Sequence, residues 1–220
     1  MNLININRMW CPNDKNDFFT QSNGQITPYG KVGKTIINYI KTENIKNIVE
    51  IGTWNGMGST QCFLLGLSSD TKFYTIESNK EKVETAKKNL SSYILTNNIK
   101  FLWGSILSIK DIKDAEIIFP ELSNSEFKRW HSIDIENINN SPNVMSELPD
   151  KIDFLLLDGG EFTTWYEFQL LFPRCIKYIA LDDVNVSKCK KIREYLYLNP
   201  LWKEVEYINE RNGFSIFKLN

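Results

Sequence analysis

Residues 48–60 read IVEIGTWNGMGST, and the reading of this stretch decides the fold. Ile48, Val49 and Ile51 have the character of a buried parallel strand near its end, and the following TQCFLLGL has that of a helix. Between them stand Gly52, Gly56 and Gly58, the residues of a turn. In open α/β sheets ligands lie beyond the carboxyl ends of the strands, where glycine permits positive φ and close approach of a ligand to the backbone. The stretch therefore reads as a strand, a ligand-binding loop and a helix.

Working outward, strands and helices alternate. TPYGKVGKTIINYIKTENI (27–45) places Val32, Ile36, Ile37, Tyr39 and Ile40 at helical spacing. KNIVEIG, KFYTIES and IKFLWGS read as strands, separated by the helices STQCFLLGLSS and NKEKVETAKKNLSSYILT. KIDFLLLDGG and KYIALDD resume the strands, with helices over TTWYEFQLLFPRC and SKCKKIREYLYL. The last two β-rich runs, KEVEYINE and FSIFKLN, flank the turn residues RNG and signal an antiparallel hairpin. The fold class expected is α/β: a Rossmann-like, mostly parallel sheet with helices on both faces and a C-terminal antiparallel hairpin. Residues 1–27 read as an N-terminal arm or lid, and 28–220 as one domain. Within it 106–152 is too long for an ordinary crossover and is expected to hold the covering helix plus an insertion.

Composition narrows the function. The chain has 220 residues and a formal net charge of −1, which offers no general attraction to nucleic acid or to an anionic membrane. No apolar run is long enough to span a bilayer, and the N-terminus lacks the features of a secretory signal, so a cytoplasmic location is expected. Cys11, Cys62, Cys175 and Cys189 are scattered without CxxC spacing, the pattern of reduced thiols. The single histidine, His131, rules out an HExxH zinc site.

The acids identify the ligand. Glu77 closes the second strand about 20 residues after the glycine turn, where an acid accepts hydrogen bonds from ribose hydroxyls. GxGxxG and GxxxxGK[ST] are both absent, which disfavours a dinucleotide or a nucleoside triphosphate. Glu50, just before the glycines, would repel a pyrophosphate and suits a ligand carrying positive charge.

Glu50, Gly52, Gly56 and Ser59, followed by the acid at Glu77, resemble the class I S-adenosylmethionine-dependent methyltransferases, as does the order of elements with its terminal hairpin. The resemblance covers about 28–220 and implies a seven-stranded sheet. It further implies that Gly52 and Gly56 pass under the methionine part of the cofactor, with Glu50 near its ammonium and Thr53, Trp54 and Ser59 among the cofactor-binding residues. Glu77 would hold the ribose, and Gly104 and Ser105 would lie beside the adenine.

Asp158 ends a strand in LLLDGGEF, and Asp182 and Asp183 end the next in YIALDDVN, so three carboxylates would face one crevice. Such a set repels itself unless a cation with hard oxygen preference joins it, and Mg2+ is the natural candidate. The pattern resembles the metal-dependent O-methyltransferases of the catechol, caffeoyl-coenzyme A and macrolide-sugar kinds, and the Asp-Asp pair is that of the sugar branch. Where the catechol-like enzymes have lysine, three residues after the first metal acid, this chain has Glu161.

Glu161 is thus the first candidate base, beside Asp158, and His131 is the second if the insertion folds over the site. Each has a plainer reading: Glu161 as a cap of the helix TTWYEF, His131 as a solvated loop residue. Trp54, Trp103, Trp130, Trp165 and Tyr166 are candidate pocket walls, most of them expected to be packing, with Trp130 and Trp165 the better candidates. Lys188, Lys190, Lys191 and Arg193 read as a solvated helix face. The activity expected is methyl transfer to an oxygen of a sugar or another small hydroxylated acceptor. The resemblance also admits a homodimer. The rivals are a nicotinamide-dependent Rossmann enzyme and a non-catalytic methyltransferase-like binding module.

Overall fold

The computed structural model describes residues 25–94 and 98–220. The expected arm, up to residue 24, and Cys11 lie outside the described residues, as do the last two residues of the helix expected over 79–96. The chain runs α1 (Lys31–Thr42), β1 (Asn47–Ile51), α2 (Ser59–Gly66), β2 (Lys72–Glu77), α3 (Lys80–Asn89), α4 (Ser91–Ile94) and β3 (Ile99–Trp103). It continues with α5 (Ala115–Ile118), α6 (Ser125–Asn140), β4 (Ile152–Leu157), α7 (Thr164–Leu171), β5 (Cys175–Asp182), α8 (Ser187–Leu198), β6 (Trp202–Ile208) and β7 (Phe214–Leu219).

The seven strands form one sheet in the order β3-β2-β1-β4-β5-β7-β6. β1 to β5 are parallel, whereas β7 runs antiparallel to both β5 and β6. The order reverses between β1 and β4, and a crevice opens there beyond the strand ends.

Both faces of the sheet are covered, which explains why β4 reads as an unbroken apolar run: all six of its residues are buried. Alternate residues feed opposite layers. Ile48, Phe73, Phe154, Leu156 and Tyr178 pack with Ile36 and Ile40 of α1 and Phe63 of α2. Val49, Ile76, Leu155, Leu157 and Ile179 pack on the other side with Phe168 of α7 and Ile192 of α8.

The long stretch 106–152 is part of the fold. Ile106, Leu107, Ile112, Phe119, Leu122 and Ile138 are buried in the same layer as α7 and α8. Its end returns to the sheet, where Ser105 bridges Asn143 and donates its N–H to Pro142 O at 3.0 Å. The helix expected over 79–96 is broken at Leu90, whose side chain turns into the core beneath Gly56.

Candidate active site

A cleft of about 460 Å³ opens at the switch point. Gly52, Thr53, Trp54 and Ser59 of the glycine loop line it, with Glu77, Gly104, Ser105, Asp158, Glu161, Asp182 and Asp183. Most of the residues singled out from sequence are thus brought together; Glu50, Gly56 and His131 are not on its wall.

The glycine loop is strained where it meets the cleft. Gly52 sits at φ 98°, and Trp54, a non-glycine residue, at φ 49°. A Cβ on Gly52 would run into the main-chain carbonyl of Asp158, so glycine is what lets the ends of β1 and β4 close on each other. Gly56, at φ 79°, faces Leu90 and Ala86 and seats the loop on α3 and the residue that follows it.

Glu77 holds the loop from the neighbouring strand. Its Oε2 accepts the N–H of Trp54 at 3.0 Å and its Oε1 that of Asn79 at 2.9 Å. Each oxygen keeps acceptor capacity toward the cleft, as a ribose clamp requires. Burial raises the pKa of its carboxyl.

Glu50 is turned the other way, which corrects the expectation that it faces the ligand's ammonium. It is completely buried, accepting from Ser59 Oγ at 2.6 Å, Thr60 Oγ1 at 2.7 Å and Thr75 Oγ1 at 2.6 Å. The carboxylate ties β1 and β2 to the first turn of α2, where negative charge is favoured by the helix dipole. Complete burial still outweighs the three donors and raises its pKa from 4.5 to about 7. An acid whose folded pKa is raised favours folding most below its ordinary pKa and loses that contribution as pH climbs through the folded value. A rise from 4.5 to about 7 corresponds to a loss on the order of 3 kcal/mol between pH 4.5 and 8. Glu50→Gln is therefore expected to flatten the fall in stability over this range in urea denaturation, without abolishing it, since Asp134 and Glu167 are raised too. Identical slopes in both proteins would refute this role for Glu50.

Beside the expected Trp130, the cleft contains residues that sequence reasoning missed: Asp134, Asn137 and Glu167. α6 presents Trp130, Asp134 and Asn137, spaced at i, i+4 and i+7, a helical periodicity that was available in FKRWHSIDIEN. Glu167, one turn into α7, completes the wall. Burial is the main cause that lifts Asp134 to about 7 and Glu167 to about 8.

His131 lies on the same helix but faces inward. It is 7% exposed, its ring meets Phe162 edge to face at 6.1 Å, and burial lowers its pKa. It is a core histidine, neither a base in the cleft nor a solvated loop residue. Of the aromatic candidates, Trp54 and Trp130 line the cleft. Trp165 instead packs with Phe168 and Tyr195, Tyr166 donates to Asp114 at 2.9 Å, and Trp103 donates to Ser78 O at 3.1 Å.

Glu161 caps a helix, though a different one from that expected: its Oε1 accepts the N–H of Lys188 at 3.0 Å, in the first turn of α8. Burial raises its pKa. The three strand-end acids do converge, with one ligand atom from each of Asp158, Asp182 and Asp183 lying within 4.8 Å of the others. Asp183 sits at φ 57°, a left-handed conformation that turns its side chain toward Asp158.

The cluster already contains cations. Lys188 Nζ lies 2.8 Å from Asp158 Oδ1 and 2.7 Å from Asp183 Oδ2, and Arg211 from the β6–β7 turn contacts both oxygens of Asp182, Oδ2 at 2.6 Å. Lys188 thus departs from the solvated face expected of it: its side chain is only 13% exposed. Burial opposes its charge, but Asp158, Asp183 and Asp182 outweigh that and hold the ammonium well above its ordinary pKa. Burial likewise opposes charge on Asp183, and Lys188 overcomes it to keep that carboxyl below its ordinary value. Burial and the neighbouring acids lift Asp182 to about 7. With both oxygens of Asp182 and one each of Asp158 and Asp183 engaged by nitrogen cations, the residues as arranged do not fit a resident Mg2+.

Among the described residues, five buried side-chain polar atoms lack a hydrogen-bond partner: Trp54 Nε1, Trp130 Nε1, His131 Nδ1, Glu167 Oε2 and Asp183 Oδ1. Four of the five belong to residues lining this one cleft. Buried polar groups are rarely left unpaired in a finished structure, and their concentration around this cleft sets it apart from the rest of the described residues.

The O-methyltransferase family profile matches residues 27–143, more than half of the chain. No curated protein sequence matches. Among solved structures, an O-methyltransferase from Bacillus cereus in complex with S-adenosylhomocysteine aligns with a TM-score of 0.59 at 18% identity, over 86% of this chain and 80% of that one. TomG from Streptomyces achromogenes, an O-methyltransferase involved in tomaymycin synthesis and solved with S-adenosylmethionine, aligns with a TM-score of 0.58 at 15% identity, over 86% of this chain and 79% of that one. At such identities these likenesses speak for the fold, and it is the profile match that carries the assignment: the chain belongs to the O-methyltransferase family, class I enzymes that depend on S-adenosylmethionine.

Proposed function

We propose that this chain transfers a methyl group from S-adenosylmethionine to an oxygen of a small polyhydroxylated acceptor, with a sugar as the first choice. The observation that carries the reading is the clustering of unpaired buried polar atoms in a cleft walled by the glycine loop and Glu77. When bound, the cofactor supplies an electrophilic methyl group on a sulfonium. The chain's own part is to position two ligands and manage one proton.

In this reading the main chain of Gly52 and Thr53 lies against the methionine part, Glu77 accepts from the ribose, and Gly104 and Ser105 flank the adenine. Trp130, Asp134 and Asn137 of α6 border the acceptor. Glu161 takes the acceptor's proton: the N–H of Lys188 fixes its orientation, burial raises its basicity, and it opens on the cleft. Asp158, shared with Lys188, orients the acceptor hydroxyl.

Mg2+ on Asp158, Asp182 and Asp183 is not part of this reading: the three acids converge, but Lys188 and Arg211 already engage them. The eight acids lining the cleft, Glu77, Asp134, Glu136, Asp158, Glu161, Glu167, Asp182 and Asp183, against Lys82 and Lys188, disfavour a phosphorylated or nucleic-acid acceptor. Among the described residues no helix is long and apolar enough to cross a membrane.

Incubation with methyl-labelled S-adenosylmethionine and panels of sugars, catechols and nucleic acids tests the proposal. Label recovered on a sugar or another small hydroxylated compound supports it. Label on nucleic acid alone, or cofactor binding with no transfer to any panel, refutes it.

A further inference from the structure

The deepest disagreement between expectation and structure lies at the three strand-end acids. We infer that the ammonium of Lys188, bridging Asp158 and Asp183, is a built-in cation standing where a divalent metal would otherwise be held, so that this chain's transfer site works without a metal; the inference rests on the methyltransferase reading above.

Three observations converge on it. Lys188 reaches the cluster from the first turn of α8, and its backbone N–H is held by Glu161 while its Nζ spans two strand ends. The position is therefore fixed at both ends of the residue. Arg211 engages both oxygens of the remaining acid, Asp182, and is itself steadied by Gln25 at 2.9 Å. The β6–β7 turn that carries Arg211 is tied to the loop after β5 through Val184 N–H to Gly213 O at 3.1 Å and Asn185 N–H to Asn212 O at 2.9 Å.

The physical conflict with a metal is direct. A divalent cation of the magnesium type needs carboxylate oxygens at about 2.1 Å in near-octahedral array. Here the same carboxylates are already paired with nitrogen donors, and a dication drawn to them would stand against an ammonium and a guanidinium of like sign. An ammonium carries three N–H donors, of which two are committed to Asp158 and Asp183. Lys188 also lines the cleft, which leaves it one donor for an acceptor oxygen. It would polarise that oxygen as a point charge.

Mn2+ serves as the probe, titrated into the purified 220-residue chain and followed by electron paramagnetic resonance, with S-adenosylhomocysteine binding measured on the same samples. The wild-type protein is expected to show no Mn2+ binding up to about 1 mM, and Lys188→Met to gain a site at least about tenfold tighter than any in the wild type. Lys188→Arg, which keeps the cation, is expected to behave as the wild type. Stoichiometric Mn2+ binding to the wild type at micromolar concentration would overturn the inference, as would a folded Lys188→Met protein with no gain. Should Lys188→Met fail to fold, the wild-type titration decides alone. Loss of S-adenosylhomocysteine binding by the wild type would overturn the methyltransferase reading instead, so the two failures are distinguishable.

Discussion

Gly52→Ala is expected to destabilise the protein by about 3 kcal/mol or more and to remove cofactor binding, because two independent costs fall on one position. The first is conformational: at φ 98° an alanine sits in a region that residues with a Cβ rarely adopt. The second is steric: the new Cβ would collide with the main-chain carbonyl of Asp158 at the end of β4. A flexible side chain could move away, but this obstacle is backbone at the exit of the central, fully buried strand. The strand ends must part, and they are the floor of the cleft. Gly30→Ala is the control, since its Cβ would meet Thr27 only at 3.5 Å, an ordinary contact. Chemical denaturation with calorimetric titration of S-adenosylhomocysteine checks both effects. A Gly52→Ala protein as stable as Gly30→Ala and binding normally would show that the close approach of β1 and β4 is dispensable.

Glu77→Ala is expected to weaken cofactor binding by about 100-fold while leaving the fold in place. The carboxylate makes two charge-assisted contacts to the main chain, at Trp54 and Asn79, and in the proposed complex two more to ribose hydroxyls. Hydrogen bonds to a charged group contribute roughly 1.5–3 kcal/mol each, so loss of even the ribose pair would reach that factor. The glycine loop also loses its tether to β2, although Gly52 and Thr53 still donate to Ile76 O at 2.9 and 3.2 Å. Calorimetric affinity together with melting temperature separates the two roles. Unchanged affinity would remove Glu77 from the ribose site.

The contrast between these residues and Lys188 shows what a sequence carries. Gly52 and Glu77 are legible because their roles follow from local order: a glycine just past a strand, an acid at the end of the next. The strands are legible for a related reason, since a sheet covered on both faces leaves its central members, such as IDFLLL, uniformly apolar. Asp158, Asp182 and Asp183 could be placed together once parallel strands were inferred. What answers their charge could not. Lys188 and Arg211 lie in a helix start and a hairpin turn, where charged residues are ordinarily solvated, and only the packing of α8 and the β6–β7 turn over the strand ends brings them in. Glu50 shows a third case: its position was read correctly, but the direction of its side chain depends on the hydroxyls of Ser59, Thr60 and Thr75 beside it. His131 is hard to read because its polar neighbours hide the helical face it shares with Phe127 and Ile138.

The account depends most on the cleft at the β1–β4 switch point being a site for S-adenosylmethionine. Calorimetric titration of the wild-type protein with S-adenosylhomocysteine tests this most directly. Binding at one site per chain with micromolar affinity is the result predicted; an absence of heat and of any thermal stabilisation at millimolar concentration would contradict it.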